Sequence, residues 1–337
     1  MKRRGWLAVL PAVALVGGAC DQGGTAVPVP DAGGTSPGPV DPSVLERGEY
    51  LVKTVAGCGE CHTPRTPSGD LDTSQWLAGV ANRFDLTPDD DTTGGISAPN
   101  LTPAALASWS DEDVEAAFLN GVAKDGSALY PLMPYYAYHN MTVADAAAVV
   151  AYLRAIPSID NVVPKRQPLP VALLGPAPPL PETAIPHTTL AATDSRYASA
   201  ERGRYLAGEV GFCLDCHTPW RSGETSPLDL TLVFAGNRAF SAREWVVPPP
   251  APAVVYSYDI TPHATGIAGW TAQDVASLLV YGTPPDGSLL CRPMPSGPVG
   301  GLGGLLAQDA LDIGNYLTTI PPIDGGDIPQ CPLSGDL

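Results

Sequence analysis

The chain has 337 residues, a formal net charge of −17 at pH 7, and 44% hydrophobic residues. This length is enough for two ordinary domains, and the negative charge makes nucleic acids and anionic membrane surfaces poor candidates as partners. The 36 glycines and 38 prolines predict compact modules joined by long irregular connections.

The N-terminal segment has the features of an export signal. Lys2–Arg4 are basic and Trp6–Val16 are apolar, which predicts a signal peptide over residues 1–19. The small residues before Cys20 resemble a bacterial lipoprotein signal, in which that cysteine is lipidated; a plain signal peptide is the alternative. Residues 20–43 lack periodicity and predict a flexible tether. We therefore expect an exported, periplasmic protein, anchored to the membrane by lipid.

An internal repeat organises the rest of the chain, because the same short motifs return in the same order. The matched pairs are Glu46–Leu51 with Glu201–Leu206, Cys58–Pro64 with Cys213–Pro219, Ala78–Gly79 with Ala235–Gly236, Leu101–Pro103 with Ile260–Pro262, Trp109–Val114 with Trp270–Val275, Met133–Pro134 with Met294–Pro295, and Asp145–Pro157 with Asp309–Pro321. We predict a first domain over residues 44–160, a Pro-rich linker over 161–196, a second domain over 197–324 and a tail over 325–337.

Each repeat is predicted to consist mainly of short helices, so the expected fold class is all-α. Hydrophobic spacing predicts helices from Glu46 to about Val55 and over Val143–Ala155, the latter with Val143, Ala147, Val150 and Ala151 at helical spacing. Asp111–Asn120 is a third, capped by Ser110. Residues 63–100 and 218–262 predict long turn-rich loops, which in a compact domain need an organising group.

A Cys-x-x-Cys-His run occurs at the same point of both repeats. The runs are Cys58, Cys61 and His62, and Cys213, Cys216 and His217. This spacing is the attachment signature of c-type haem: two thiols form thioethers with the porphyrin, and the adjacent imidazole becomes the proximal iron ligand. Two covalently bound haems are therefore predicted, and they would organise the long loops.

Three other uses of these cysteines are alternatives to haem. A zinc site normally needs a second ligand pair in the same module, and the first repeat has no third cysteine. A thioredoxin-like pair lacks the surrounding βαβ pattern. A disulfide two residues long is a poor staple and leaves the histidines unexplained.

Met133 and Met294 are the predicted sixth ligands of the two irons. Each is flanked by prolines. Because proline is excluded from helix interiors, the segment is predicted to be non-helical, and such a segment can present a thioether rigidly to the iron. A gap-filling core role is the alternative for both. Met141 matches no methionine in the second repeat and is predicted to be core, and His139 is the alternative ligand to Met133.

Cys291 and Cys331 have no equivalents in the first repeat. In an oxidising compartment a disulfide between them would tie the tail to the Met294 segment. Two free thiols are the alternative.

Both halves resemble class I cytochrome c domains. The resemblance rests on the Glu-Arg-Gly-x-Tyr-Leu lead-ins, the Cys-x-x-Cys-His-Thr-Pro runs, the Thr-Pro and Trp-x-x-x-Asp-Val motifs, and the Met-Pro segments. They are most similar to the tandem modules of periplasmic dihaem cytochromes and of cytochrome subunits of bacterial alcohol and gluconate dehydrogenases. The resemblance implies that Trp109, Trp270 and Tyr135 lie near haem; plain core packing is the alternative. The first repeat lacks an equivalent of Thr265–Ile267.

The predicted function is transfer of single electrons without catalysis by the protein, so no catalytic residues are assigned. Expected partners are a periplasmic dehydrogenase or respiratory donor and an oxidase or cytochrome acceptor, and the acidic surface would suit a basic partner or serve only solubility. One alternative is a dihaem enzyme of the peroxidase or thiosulfate-oxidising type, which needs an open iron position. A dedicated subunit of a membrane dehydrogenase complex is the other.

Overall fold

The computed structural model describes residues 41–84, 96–164, 177–220, 227–241, 254–287, 290, 292–298 and 301–328. Helices dominate this part of the chain. They are α1 (Pro42–Tyr50), α2 (Gly59–His62), α3 (Pro103–Leu106), α4 (Asp111–Asn120), α5 (Tyr135–Tyr138), α6 (Val143–Ala155), α7 (Tyr197–Arg204), α8 (Cys213–Cys216), α9 (Ala272–Tyr281) and α10 (Ala307–Leu317). Short 3₁₀ turns lie at Thr73–Gln75, Glu182–Ala184 and Gly301–Gly304.

The lead-in helix of each repeat continues into a wider π-helical turn. α1 is followed by Leu51–Val55 and α7 by Tyr205–Val210. The helix predicted from Glu46 is confirmed but begins earlier, at Pro42, because the Asp41 side chain accepts a hydrogen bond from the Ser43 amide at 2.9 Å. Proline suits the first helical position, where its missing N–H has no intrahelical acceptor.

Helices α4 and α9 share one design at both ends. Ser110 and Asp113 form a reciprocal capping box in α4, and Thr271 and Asp274 do the same in α9. Each helix ends at a left-handed glycine, with φ of 66° in α4 and 70° in α9. The predicted helix Asp111–Asn120 and its Ser110 cap are confirmed.

The closing helix α6 has the predicted bounds. Of the predicted stripe Val150 is buried, but two other residues are exposed. Val143 is 85% exposed and Ala147 is also exposed, whereas Ala146, Val149 and Leu153 are buried. The predicted stripe included the two exposed residues because small apolar residues cover most of this helix, which leaves little periodicity to select one face.

The structure contains two short antiparallel strand pairs in addition to the helices of the predicted all-α class. β1 (Val80–Phe84) pairs with β2 (Ile96–Ala98), and β3 (Ala239–Ser241) pairs with β4 (Val254–Tyr256). Both pairs lie inside the segments predicted to be loops. The chain is thus predominantly helical, and its strands were missed because they are too short to show alternation.

Close helix crossings build the core. α1 packs on α6 and α7 packs on α10, and a glycine of the lead-in motif makes each crossing. A Cβ at Gly48 would lie 2.0 Å from the Ala148 carbonyl oxygen, and a Cβ at Gly203 would lie 1.9 Å from that of Asp312. Residues of both repeats contribute to one large apolar core, and the described residues between 41 and 328 belong to a single compact unit.

The described part of the predicted linker packs against the helices. Leu180 and Ile185 are buried, and the Leu180 amide donates to the Tyr136 carbonyl at 2.9 Å. Arg204 also donates to the Ile185 carbonyl at 3.1 Å. The domain boundaries themselves stay a prediction.

Within the described residues, no helix combines the length and hydropathy that a membrane crossing needs. The predicted signal peptide, Cys20 and most of the tether lie outside the described residues, as do Cys291 and Cys331.

Candidate haem sites

The two Cys-x-x-Cys-His runs fold in the same way. In the first, α2 follows Cys58, and the His62 amide donates to the Cys58 carbonyl at 3.0 Å. In the second, the His217 amide donates to the Cys213 carbonyl at 2.9 Å. One helical turn therefore places both cysteines and the histidine of each run around the same point. The four thiols are not in disulfides.

Each histidine is buried and held through one ring nitrogen. The Nδ1 atom of His62 lies 2.7 Å from the Pro99 carbonyl oxygen, and that of His217 lies 2.7 Å from the Tyr258 carbonyl oxygen. Because a carbonyl only accepts, Nδ1 carries the proton and Nε2 keeps its lone pair. Histidines that bind metals are commonly oriented through such a hydrogen bond.

Burial favours the neutral form of the cysteines and the histidine in each of the two runs. It lowers the pKa of His62 and of His217, against the opposing effect of the carbonyl hydrogen bonds. It raises the pKa of the Cys58 thiol to about 12 and that of the Cys213 thiol to about 11. A neutral imidazole is the form that binds iron, and a thioether is likewise uncharged.

The threonine after each histidine anchors the following loop. Thr63 accepts a hydrogen bond from the Leu77 amide at 3.0 Å, and Thr218 accepts one from the Phe234 amide at 3.1 Å. These bonds explain why threonine recurs in both runs: its hydroxyl satisfies a buried amide.

The glycine that ends each Ala-Gly motif closes the same loop. The Gly79 amide donates to the His62 carbonyl at 2.8 Å, and the Gly236 amide donates to that of His217 at 2.7 Å. Both glycines have positive φ, and a Cβ at Gly79 would lie 2.5 Å from the Asn100 amide nitrogen. The motif therefore folds the loop back over the histidine.

The methionine segments and the attachment segments pack against the same apolar core. Met133 and Met294 are half-buried outside helices, and they pack against the same apolar core as Cys58 and Cys213. Next to Met133, the side chains of Tyr130 and Leu132 share a small cluster with Cys61 around Phe84 and Ile96. This placement agrees with the predicted ligand roles, which stay predictions.

The other candidate residues have clear positions. His139 is exposed, with Nδ1 2.9 Å from Asn120 Oδ1, while Met141 is buried in the core as predicted. Tyr135 is fully buried, and its hydroxyl accepts from the Ala177 amide at 2.8 Å. Trp109 and Trp270 are half-buried against the core.

Two arginines next to the attachment helices, Arg83 buried and Arg238 largely buried, were not predicted from the sequence. Arg238 pairs with Asp215, between the cysteines of the second run, and stacks 4.5 Å from the centroid of Trp220. Arg83 reaches the Glu60 carbonyl of the first run at 3.4 Å. A repeated Asn-Arg dipeptide after each Ala-Gly motif was the available signal, and in both copies its asparagine has positive φ.

The two attachment segments touch each other just before their first cysteines. A ring carbon of Phe212 lies 3.1 Å from the position of a Cβ on Gly57, whose φ is +53°. The Tyr138 ring packs edge-on against Phe212 with centroids 6.4 Å apart, and its hydroxyl donates to the Ala56 carbonyl at 3.0 Å. The aromatic side chains thus fill the space between the two sites.

The residues fit haem better than zinc. Among the described residues, no three His, Cys, Asp or Glu side chains group as a metal site. Three positions after each histidine, a buried N–H has no acceptor in the described part of the chain: Nε of Arg65 and Nε1 of Trp220. Haem propionates are acceptors that such donors can use. With two thiols and an anchored neutral imidazole, this is a donor set for covalent haem.

A predominantly helical chain with two such attachment sites has the features of c-type cytochromes. The comparisons agree, because the relatives include a dihaem cytochrome c and cytochrome c subunits of dehydrogenases. No protein-family model matches the chain.

Three relatives illustrate the range. A "Diheme cytochrome c-type" protein of Cereibacter sphaeroides is 37% identical over 117 residues, 34% of this chain and 36% of the relative. The "Gluconate 2-dehydrogenase cytochrome c subunit" of Pantoea cypripedii is 30% identical over 194 residues, 52% of this chain and 38% of the relative. The "Alcohol dehydrogenase (quinone), cytochrome c subunit" of Gluconacetobacter polyoxogenes is 26% identical over 311 residues, which are 84% of this chain and 57% of the relative. The matches thus span between about a third and somewhat over half of these relatives.

Proposed function

We propose that this protein is a dihaem c-type cytochrome that carries single electrons between redox proteins. One haem c is attached at Cys58 and Cys61 with His62 as proximal ligand. The other is attached at Cys213 and Cys216 with His217 as proximal ligand. The observation that carries the proposal is the duplicated buried histidine, held through Nδ1 beside two thiols that are free of disulfides.

In this function the protein would bind the two haems, orient their ligands and shield them from water. Reversible one-electron chemistry is supplied by the iron when haem is bound. The carbonyls of Pro99 and Tyr258 orient the imidazoles and make them stronger ligands. Met133 and Met294 would complete the two coordination spheres, and a thioether ligand favours the ferrous state and so raises the potential. The buried surroundings keep water from both sites.

Two tandem cytochrome c domains, over residues 44–160 and 197–324, belong to this proposal. Their support is the order of equivalent contacts. The Thr102 hydroxyl donates to the Ile159 carbonyl at 3.1 Å, as the Thr261 hydroxyl does to Ile323 at 3.1 Å. The protein would act after export, in the compartment where its redox partners lie, tethered by lipid at Cys20.

The names of the relatives support a dehydrogenase as the electron donor, because several are cytochrome subunits of alcohol, fructose or gluconate dehydrogenases. The acceptor would be an oxidase or another cytochrome. The same names favour a second candidate, a dedicated subunit of a membrane dehydrogenase complex. The net charge of −17 fits a basic partner in either case.

Mass spectrometry and optical spectra of the purified protein, after expression with haem-attachment machinery, test the proposal. We expect the mass of two covalent haems and the weak far-red absorption band of methionine-bound ferric iron, with no spectral change on adding cyanide or peroxide. The variant Cys58→Ala/Cys61→Ala should keep one haem, as should Cys213→Ala/Cys216→Ala. Wild-type protein without covalent haem would refute the proposal, and one iron that binds cyanide would favour a redox enzyme.

A further inference from the structure

The methionine segment of the first repeat contacts the attachment helix of the second. Tyr136 lies three residues after Met133 and is fully buried. Its hydroxyl donates a hydrogen bond to the carboxylate of Asp215, which lies between Cys213 and Cys216. The same carboxylate is paired with Arg238. A single buried carboxylate therefore joins elements of both sites.

A second contact runs in the opposite direction. Arg292 lies two residues before Met294, and its Nη1 donates to the Gly69 carbonyl at 2.8 Å. Its Nη2 donates to Asp70 Oδ1 at 3.0 Å. Gly69 and Asp70 belong to the loop that follows the first attachment run, and Arg65 in that loop also donates to the Gly69 carbonyl at 2.8 Å. The methionine segment of the second repeat is thus fastened to the first attachment segment, meaning the Cys-x-x-Cys-His run together with the loop that follows it.

We infer that Tyr136 and Arg292 are positioning residues that hold the methionine segment of each repeat against the attachment segment of the other, so that the two haem sites are coupled. The inference rests on the proposed function and extends it. Neither residue is placed in contact with iron. Each acts through the segment that it fastens.

The Tyr136 contact has a defined electrostatic consequence. The Asp215 carboxylate is buried beside the second attachment site, and its negative charge is compensated by Arg238 and by the Tyr136 hydroxyl. Removing the hydroxyl leaves more uncompensated negative charge at that site. Negative charge stabilises the ferric over the ferrous state, so a change in the first repeat should lower the potential of the haem in the second.

The test is the variant Tyr136→Phe in the full protein with both haems attached. We expect the equilibrium constant for reduction of the second haem to fall by about threefold or more, which is ~30 mV at about 59 mV per tenfold for one electron. The far-red band of the first site should also weaken, because Met133 loses the fastening of its segment. The variant Met294→His, which changes the potential of its own iron, identifies the second haem in the titration.

Tyr50→Phe is the matched control. It also removes one hydroxyl that donates to a carboxylate of the other repeat, that of Asp309, but no candidate ligand is near it in sequence. Both potentials should be unchanged in this variant. Equal shifts in the two variants, or no shift in Tyr136→Phe, would overturn the inference for Tyr136.

Arg292 is tested in the same way with Arg292→Gln. Arg196→Gln serves as its control because Arg196 forms an ion pair with Asp194, two residues away. We expect Arg292→Gln to weaken the far-red band of the second site and Arg196→Gln to leave both bands unchanged. Two attached haems with unaltered bands and potentials would refute the coupling and leave the proposed function standing. Failure of haem attachment in the wild type would refute the proposed function itself.

Discussion

The hydroxyl of Tyr50 donates a hydrogen bond to Asp309, 2.8 Å away, although 259 residues separate them. The equivalent Tyr205 donates to Asp145 at 2.7 Å, in the reverse direction. The arginines of the same two motifs stay within their own repeats, since Arg47 pairs with Asp145 at 2.7 Å and Arg202 with Asp309 at 2.8 Å. Asp145 and Asp309 thus each bind an arginine from their own repeat and a tyrosine hydroxyl from the other repeat.

Loss of these two hydroxyls should weaken the packing of the repeats. A hydrogen bond to a charged group contributes ~1.5–3 kcal/mol, and partial exposure reduces this. We expect Tyr50→Phe and Tyr205→Phe each to lower the free energy of unfolding by ~1–2 kcal/mol, measured by urea denaturation. Tyr281→Phe, at a side chain that is 66% exposed, is the control and should have little effect. Equal stability of all three variants would show that these two hydrogen bonds between the repeats do not stabilise the folded protein.

The glycines at the helix crossings should not tolerate a methyl group. A Cβ at Gly48 or Gly203 would lie within 2.0 Å of a backbone oxygen of the opposing helix. The helices would have to separate, so we expect Gly48→Ala and Gly203→Ala each to lower the unfolding free energy by ~3 kcal/mol or more. Ala147→Ser, on the exposed side of α6, is the control and should change it by less than ~0.5 kcal/mol. Thermal and urea unfolding measure both, and a neutral Gly48→Ala would contradict the crossing geometry.

Stability should fall in acid partly through Asp145. Burial raises the pKa of Asp145, but hydrogen bonds from Arg47 and Tyr205 outweigh burial and hold the pKa below its ordinary value. A lowered folded-state pKa stabilises the protein above the unfolded-state value of about 3.9, and this contribution is lost as pH falls through the folded-state pKa.

The measurement for Asp145 is the free energy of unfolding between neutral pH and about pH 3. Asp145→Asn should flatten the decline below about pH 4 relative to the wild type, while Glu112→Gln, at the exposed start of α4, should not. Parallel declines in wild type and Asp145→Asn would remove Asp145 from the acid transition.

Removing one partner of the Arg238–Asp215 pair should lower the free energy of unfolding more than replacing both partners together. The Arg238 side chain is 11% exposed and that of Asp215 is 8% exposed, so Arg238→Gln leaves a buried carboxylate with Tyr136 as its remaining donor. Loss of one partner of a buried pair costs ~3–5 kcal/mol. The double variant Arg238→Gln/Asp215→Asn should recover a large part of that loss. A double-mutant cycle measures the coupling, and strictly additive losses would show that the two charges act independently.

Much of the chemistry could be predicted from the sequence because it is local. Cys58, Cys61 and His62 are close along the chain, so one helical turn suffices to bring them together. The Ser110 cap and the bounds of α6 were also predictable, since caps and following prolines are local signals. The duplicated motifs marked both sites without any knowledge of the fold.

What could not be predicted depends on contacts between distant segments. Asp215, between two cysteines, carries no sequence signal of burial, yet Tyr136 and Arg238 converge on it from other parts of the chain. Gly48 carries no sequence signal for the helix that crosses it. The strand pairs were not predicted because a three-residue strand such as β2 is too short to show an alternation of apolar and polar residues.

The reciprocal exchange of Tyr50 and Tyr205 is the contact pattern of a two-fold interface between identical subunits, here contained in one chain. A dimer of separate subunits dissociates on dilution, whereas covalent linkage holds its partners at a high effective concentration. The pairing of the two repeats is therefore independent of how much protein is present. The distance between the two attachment sites is fixed in each molecule at any protein concentration.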